Sequence, residues 1–460
     1  MKPRIRILLL ALRAWLALAS SSAASEPTLE PRPAAYSSAP QLSLDDAVAL
    51  ALAHNRTLAA AALSVDTAGA SLDAARTRRF PTLHLEASAV HSYTDQSYTV
   101  GAGDLGDYPG VGPLPSTDTK LHTARDLSGS VEVSTAMPLT QQYRIGLGIE
   151  DGELGVTRAE EALRERRHAI TTEVREAYHR LVAGRIALDA ARESVTYLRG
   201  LVALAQRYER ERTVLAGDVL DARARLADAE KEALVLEHAL ASQRESLNQL
   251  VGRDLDTPFE IEVPDATSNA LAIAPGEAAA RALARRPEVR MARLDVDRAE
   301  LAVKSKRAEL IPDVSAIASY TRPFGVDFVP EEVAYTGLHL EWDVWDWGRT
   351  RHEVAERSGD LARAERSAED TRASVAREAR AAVRSRDEAF AALDAARLAV
   401  EAAHEKRRTT LEQFLHEATL LTDALDAEAD AARAEGDHAQ ALTDLWTAEA
   451  RLARALGEDR

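Results

Sequence analysis

Three absences bound what this chain can be. Cysteine is missing from all 460 residues, which excludes a disulfide framework, a thiolate nucleophile, a Cys-ligated zinc site and a lipid carried on an N-terminal cysteine. Proline is missing from Leu139 to Thr257 and after Pro330, so nothing forbids continuous helix there. Past the N-terminus no apolar run reaches the ~20 residues that a transmembrane helix takes. A membrane crossing, if there is one, must be made by strands. Basic charge is short as well: 57 Lys and Arg against 74 Asp and Glu leave a net charge of −17. So acidic a surface argues against a nucleic-acid partner and would bias any enclosed lumen towards cations.

The first residues have a composition of their own. Lys2, Arg4 and Arg6 precede the apolar run Ile7 to Ala19, and Ser22-Ala23-Ala24-Ser25 supplies small residues for cleavage. Residues 1–25 therefore read as a secretory signal peptide, too short to anchor the chain. Its removal takes four cationic side chains and no acidic one, carrying the net charge to −21. Residues 26–42, with Pro27, Pro31, Pro33 and Pro40, read as a linker.

The mature chain repeats itself. Ala187-Leu188-Asp189-Ala190-Ala191-Arg192 recurs 205 residues later as Ala392-Leu393-Asp394-Ala395-Ala396-Arg397, and the same offset pairs Leu220-Asp221-Ala222 with Leu425-Asp426-Ala427 and Gly252 with Gly457. Phe80-Pro81 pairs with Ile311-Pro312 at an offset of 231, which puts a shortening of 26 residues between the strands of the second copy. Repeat 1 spans 43–252 and repeat 2 spans 276–458, with a Pro-containing linker over 253–275. Each is expected to run helix, β-hairpin, long helix, shorter helix. Ser43 caps a helix predicted to continue to about Arg79. The hairpins fall at 82–138 and 313–344. Leu83, Leu85, Ala87 and Ala89 alternate with polar residues, as do Val131 and Val133. The second hairpin is read as Val314–Tyr320 and Tyr335–Trp342, with residues 92–125 and 321–334 as loops.

At roughly nine or ten residues, each strand suits a tilted crossing of an outer membrane. Four strands cannot close a barrel, so either the strands are soluble or several chains share one barrel, and three chains of four would give twelve. Tyr93, Tyr320 and Tyr335 on the loop side, and Trp342, Trp345 and Trp347 on the helix side, fit two aromatic girdles. A long helix of roughly 60 residues would reach about 90 Å. Small and aliphatic residues recur every seventh position through Val354, Leu361, Ala368, Val375, Ala382, Ala389, Ala396 and Ala403, a seam for coiled-coil packing. The expected fold is mainly α with a small transmembrane β part. A hollow cylinder of such helices, continuous with a β-barrel and built on the internal duplication, fits both halves. A periplasmic coiled-coil scaffold or tether without a pore fits the helices but leaves the strands unexplained.

These residues resemble the TolC family of outer-membrane efflux proteins. Trp345-Asp346-Trp347-Gly348-Arg349, Leu310-Ile311-Pro312 and Asp423-Ala424-Leu425-Asp426-Ala427 look like that family's signatures before the long helix, before the strand and after the turn. The resemblance implies a homotrimer, a twelve-stranded β-barrel in outer-membrane lipid (four strands per chain) continuous with a long α-helical barrel in the periplasm of a Gram-negative cell, meeting a periplasmic adaptor protein and an inner-membrane transporter. It implies that Asp423, Asp426 and Asp218 ring the periplasmic gate, and that Arg212, Thr213, Glu417 and Ala418 form the adaptor-contacting tips. Three-fold approach of the aspartates would raise their pKa and bind cations; the same residues also suit the first turn of a helix. Arg212 and Glu417 stand where the family often has Gly, Thr419 where some members have Arg, and Phe414 where some have Tyr.

No enzyme is expected, and no cofactor. Gly101-Ala102-Gly103-Asp104-Leu105-Gly106 spells a dinucleotide fingerprint but follows no βαβ unit and leads into Asp107-Tyr108-Pro109-Gly110. His404-Glu405 lacks the second His of a zincin, and no nucleophile elbow occurs.

Overall fold

The computed structural model describes residues 40–94, 97–122, 124–262, 273–327 and 329–458. The expected signal peptide, the linker up to residue 39, and residues 263–272 of the second linker lie outside them. The described residues begin with a two-residue strand, β1 (Gln41–Leu42), and helices α1 (Leu44–His54) and α2 (Arg56–Thr77). Strand β2 (Thr82–His91) follows, then the short strands β3 (Ser97–Val100), β4 (Asp107–Tyr108), β5 (Gly112–Pro113) and β6 (Thr119–His122), then β7 (Ala124–Pro138). Helices α3 (Gln142–Arg210) and α4 (Ala216–Leu250) complete the first half. The second half runs β8 (Glu260–Ile261), α5 (Pro275–Arg285), α6 (Pro287–Ala308), β9 (Asp313–Val326), β10 (Val333–Glu341), α7 (Arg349–Leu415) and α8 (Leu421–Leu456).

The helix expected from Ser43 to Arg79 is broken, with α1 and α2 meeting at 43°. Asn55 makes the break: its Oδ1 accepts from the backbone N–H groups of Thr57 and Leu58, capping α2, while its Nδ2 donates to Leu250 O at 2.8 Å. An Asn that offers the backbone an alternative partner starts a new helix as readily as it continues one. In the second half Arg286 sits at the matching break, where Pro287 opens α6. The same sharp junction recurs at each half's end. Gly252 and Gly457 take φ +75° and +69°, and a Cβ on Gly252 would lie 2.4 Å from His54 O. Only glycine fits there.

The four long strands form one sheet in the order β10-β9-β7-β2, all antiparallel. Two of them are longer than their alternation suggests. β7 has 15 residues and β9 has 14, paired with each other as far as Ala124–Val326 through an irregularity between Ala124 and Gly129. The loop expected from residue 321 is thus largely strand, and Tyr320 lies within β9, not at its end. Pro323 hid the extension. It lies past Thr321, the last β9 residue paired with β10, so that side of the strand is free and a residue without an N–H is tolerated. The loop after β2, expected to be irregular, carries two small antiparallel ribbons, β3–β6 and β4–β5. Each linker also supplies a strand: β1 and β8 pair in parallel against the helices.

Laterally the long helices are ordered α4, α3, α8, α7, with α6 packed on both α3 and α7. One core cluster surrounds the β1–β8 ribbon and includes Tyr178, Leu181, Leu247, Phe259 and Trp446. Tyr178 ties the ribbon to α3: its hydroxyl lies 2.9 Å from Leu42 O and 2.7 Å from Glu262 O, and accepts from Glu262 N–H at 3.1 Å. The seven-residue seam of α7 is buried or half-buried at every position, from Val354 to Ala403. Among the described residues no single helix is long and apolar enough to cross a membrane.

Candidate functional site

The two helical hairpins end in turns of one design. After α3, Arg212 N–H donates to Glu209 O at 2.9 Å and Thr213 N–H to Tyr208 O at 3.0 Å; after α7, Glu417 N–H donates to Phe414 O at 3.0 Å and Ala418 N–H to Gln413 O at 2.8 Å. Arg212 and Glu417 hold the left-handed position, with φ 64° and 56°. A side chain there costs of order 1 kcal/mol relative to glycine. Beneath the turns, Phe414 packs 5.8 Å from the Tyr208 ring, within a cluster that takes in Leu201, Val219, Leu421 and Leu425. Both hairpins therefore end on one shared apolar plug, and Arg212, Thr213, Glu417 and Ala418 all project from it, exposed.

The three aspartates meet different fates. Asp423 serves its own turn: its Oδ2 accepts from the Thr419 hydroxyl and, at 3.1 Å, from Leu420 N–H. Those two hydrogen bonds hold its carboxyl below the usual range. Within one chain the capping role is in place, and the shift runs opposite to that expected from approaching like charges. Asp426 reaches across to the other hairpin, where Arg225 on α4 donates to it at 2.8 Å and also to Asp221 at 3.3 Å. Asp218 lies half-exposed in the first turn of α4. The sequence reading missed Arg225. The only signal was its position one turn after Asp221, and nothing local pointed to a partner 201 residues away.

At the opposite end, the expected girdle residues are exposed. Tyr93 follows β2, Tyr335 is the third residue of β10, and Trp342, Trp345 and Trp347 lie between β10 and α7. Trp345 and Trp347 meet edge to face at 5.8 Å, and Trp347 takes φ 58°. Asp346 fastens this turn by accepting from Gly348 N–H at 2.9 Å and Thr350 N–H at 2.8 Å. The turn thus starts a 67-residue helix while leaving two indoles on the surface. No group of three or more His, Asp and Glu placed to hold a metal occurs among the described residues.

The comparisons agree with this geometry. A solved outer-membrane channel, OprN, shares the fold at TM-score 0.75 and 22% identity, with 90% of this chain and 89% of that one covered. A membrane protein from Pseudomonas aeruginosa aligns at TM-score 0.76 and 20% identity, covering 94% and 97%. The outer membrane protein VceC from Vibrio cholerae aligns at 0.73 and 18%, covering 90% and 96%. No curated protein sequence matches the chain significantly. The sequence itself matches the family described as "Outer membrane efflux protein" over residues 47–253 and 278–458. With that match spanning most of its length, the chain belongs to the outer membrane efflux protein family and has the TolC-like channel fold.

Proposed function

We propose that three copies of this chain close a twelve-stranded barrel in the outer membrane, continued by a helical barrel in the periplasm. The assembly would be the exit duct of a tripartite efflux pump or a type I secretion system. One observation carries this reading: β2 and β10 are both unpaired edges of a sheet on which every residue of those two strands is exposed. A sheet open at both edges cannot sit in lipid. The duplication says how the edges would meet. Within the chain, the second strand of one hairpin pairs with the first strand of the next, β7 with β9, and α3 lies on α8. Repeating those junctions between chains pairs β10 with a neighbour's β2 and α7 with a neighbour's α4, which closes a ring with no free edge.

In this duct the helix tips are the periplasmic entrance. Asp423, Asp426 and Asp218 would line the gate, while Arg212, Thr213, Glu417 and Ala418 would meet a periplasmic adaptor that joins the duct to an inner-membrane transporter. Opening would separate Arg225 from Asp426, the ion pair between the two hairpins. Tyr93, Tyr320, Tyr335, Trp342, Trp345 and Trp347 would face lipid and its interfaces. The duct is a passive conduit and performs no chemistry. Purified protein in a planar bilayer is expected to conduct with cation preference, and to lose that preference when Asp423 and Asp426 are replaced by Asn. The protein should also remain with washed outer membranes and migrate as a heat-sensitive trimer. A water-soluble monomer that washes off and conducts nothing would leave only the scaffold reading.

A further inference from the structure

Above the tips, α4 and α8 flank one face of α3 and leave a cavity of about 780 Å³. Ala187, Ala190 and Ala191 of α3, Ala229 of α4 and Ala432 of α8 form much of its apolar lining. The volume falls within the ~300–1,000 Å³ typical of sites for drug-sized molecules. Four acidic residues line it against three basic ones, namely Asp228, Glu232, Glu428 and Glu435 against Arg225, Lys231 and Arg433. Each base already has a carboxylate: Lys231 donates to Asp228 at 2.8 Å, Arg433 to Asp430 at 3.3 Å, and Arg225 to Asp221 and Asp426.

Glu428 is the one buried acid among the four. It is 1% exposed, its Oε2 accepts from Arg407 at 3.3 Å, and its Oε1 is buried with no donor. Arg407 is engaged through one oxygen only, and its guanidinium also lies 3.6 Å from Glu193 and 5.3 Å over the ring of Tyr197. Burial pushes the Glu428 carboxyl above its ordinary value, and Ser194 and Arg407 pull it back. A buried carboxylate oxygen without a donor has lost its water and gained nothing in exchange.

We propose that this cavity binds a small amphipathic organic cation, a primary ammonium on an apolar body, with Glu428 as its counter-ion. The ammonium supplies the missing donor, and the apolar body lies along the alanine lining. Rotation about the terminal carboxylate bond of Glu is soft, so the unpartnered oxygen turns towards the ligand without moving the helix. The excess of acid disfavours an anion, and the alanines offer an inorganic cation no oxygen ligands. The site is complete within one chain and goes beyond the duct reading, since it needs neither a pore nor a ring.

The test is calorimetric titration of the full chain in detergent with dansylcadaverine, a primary ammonium on a naphthalene body. Its N-acetylated derivative is the uncharged control. Saturable binding is expected at one site per chain, and at least tenfold weaker for the acetylated compound, for Glu428→Gln, and for Ala432→Leu, which fills the cavity and leaves the carboxylate alone. Equal affinity of the two compounds, unchanged affinity in Ala432→Leu, or no saturable binding to the unaltered protein would overturn the proposal. If Glu428→Gln fails to fold by circular dichroism, the other two comparisons decide. Bilayer conductance of the same samples keeps this outcome separate from that of the duct.

Discussion

The two halves of the chain share one frame and bury it differently. In the first half the long helix α3 has 20 buried residues and its partner α4 has 5; in the second the long helix α7 has 7 and its partner α8 has 17. Related positions therefore sit in unlike surroundings. Leu425 is fully buried, whereas Leu220, its counterpart in the repeat, is 63% exposed. Duplication conserved the pattern that makes a helix and a turn, and position in the row then decided which copy became inner and which outer. The outer pair, α4 and α7, carries exposed apolar side chains such as Leu220, Leu234, Val235, Phe390 and Leu398, which is the surface that the proposed ring would cover.

That contrast can be broken most sharply at the leucine pair. Leu425→Ala should cost about 2–5 kcal/mol of stability in denaturant unfolding, the usual range for an emptied core site. Leu220→Ala should change the separated chain by less than about 0.5 kcal/mol yet lower the temperature at which the trimer dissociates. Equal effects in the separated chain would mean that α8 and α4 are not inner and outer helices.

The next contrast is Tyr178 against Val383, which the 205-residue offset makes counterparts and which are both fully buried. Only Tyr178 has a ribbon to hold. Tyr178→Phe should cost about 1–3 kcal/mol, because Glu262 N–H loses its acceptor, and amide exchange should quicken at Leu42 and Ile261. The neighbouring pair, His179 and Arg384, sharpens the comparison by pH. Burial, helped by Arg175, pushes His179 down to about 4. The unfolded chain then binds the proton first, so stability is whole above about pH 6.5 and falls as pH drops from there towards 4. Thermal melts across that window should show a loss on the order of 1–3 kcal/mol, largely absent in His179→Gln.

The smallest effects are expected at the tips, where the halves are most alike. Arg212→Gly and Glu417→Gly should each raise stability by up to about 1 kcal/mol by relieving the left-handed backbone, read as a rise in Tm. If the geometry of the turn is what an adaptor recognises, docking should survive the change. If the charges are what it recognises, docking should fall.

Much of the fold could be read from residues alone, because its signals are periodic. The sheet announced itself through Leu83, Leu85, Val131 and Val133, and the helices through long stretches without proline. What escaped was set by non-local partners. Asn55 looks like any polar residue on a helix until Leu250 O and the two N–H groups of α2 engage it. Gln41-Leu42 and Glu260-Ile261 are too short to carry an alternation and exist as strands only because Tyr178 and its cluster receive them. At the candidate gate, the aspartates could be named from their motif, but Arg225 and the buried Glu428 depend on which helices lie side by side.

The two hairpins also differ in the length of chain that joins their strands. The first carries the segment from residue 92 to residue 123, with its two small ribbons, whereas the second turns back between Val326 and Val333. Set around a three-fold axis, long and short connections would alternate, so that one rim repeats three times while the helical staves repeat six times. In that arrangement the strand end would present three bulky turns, and the helix end six nearly matching hairpins.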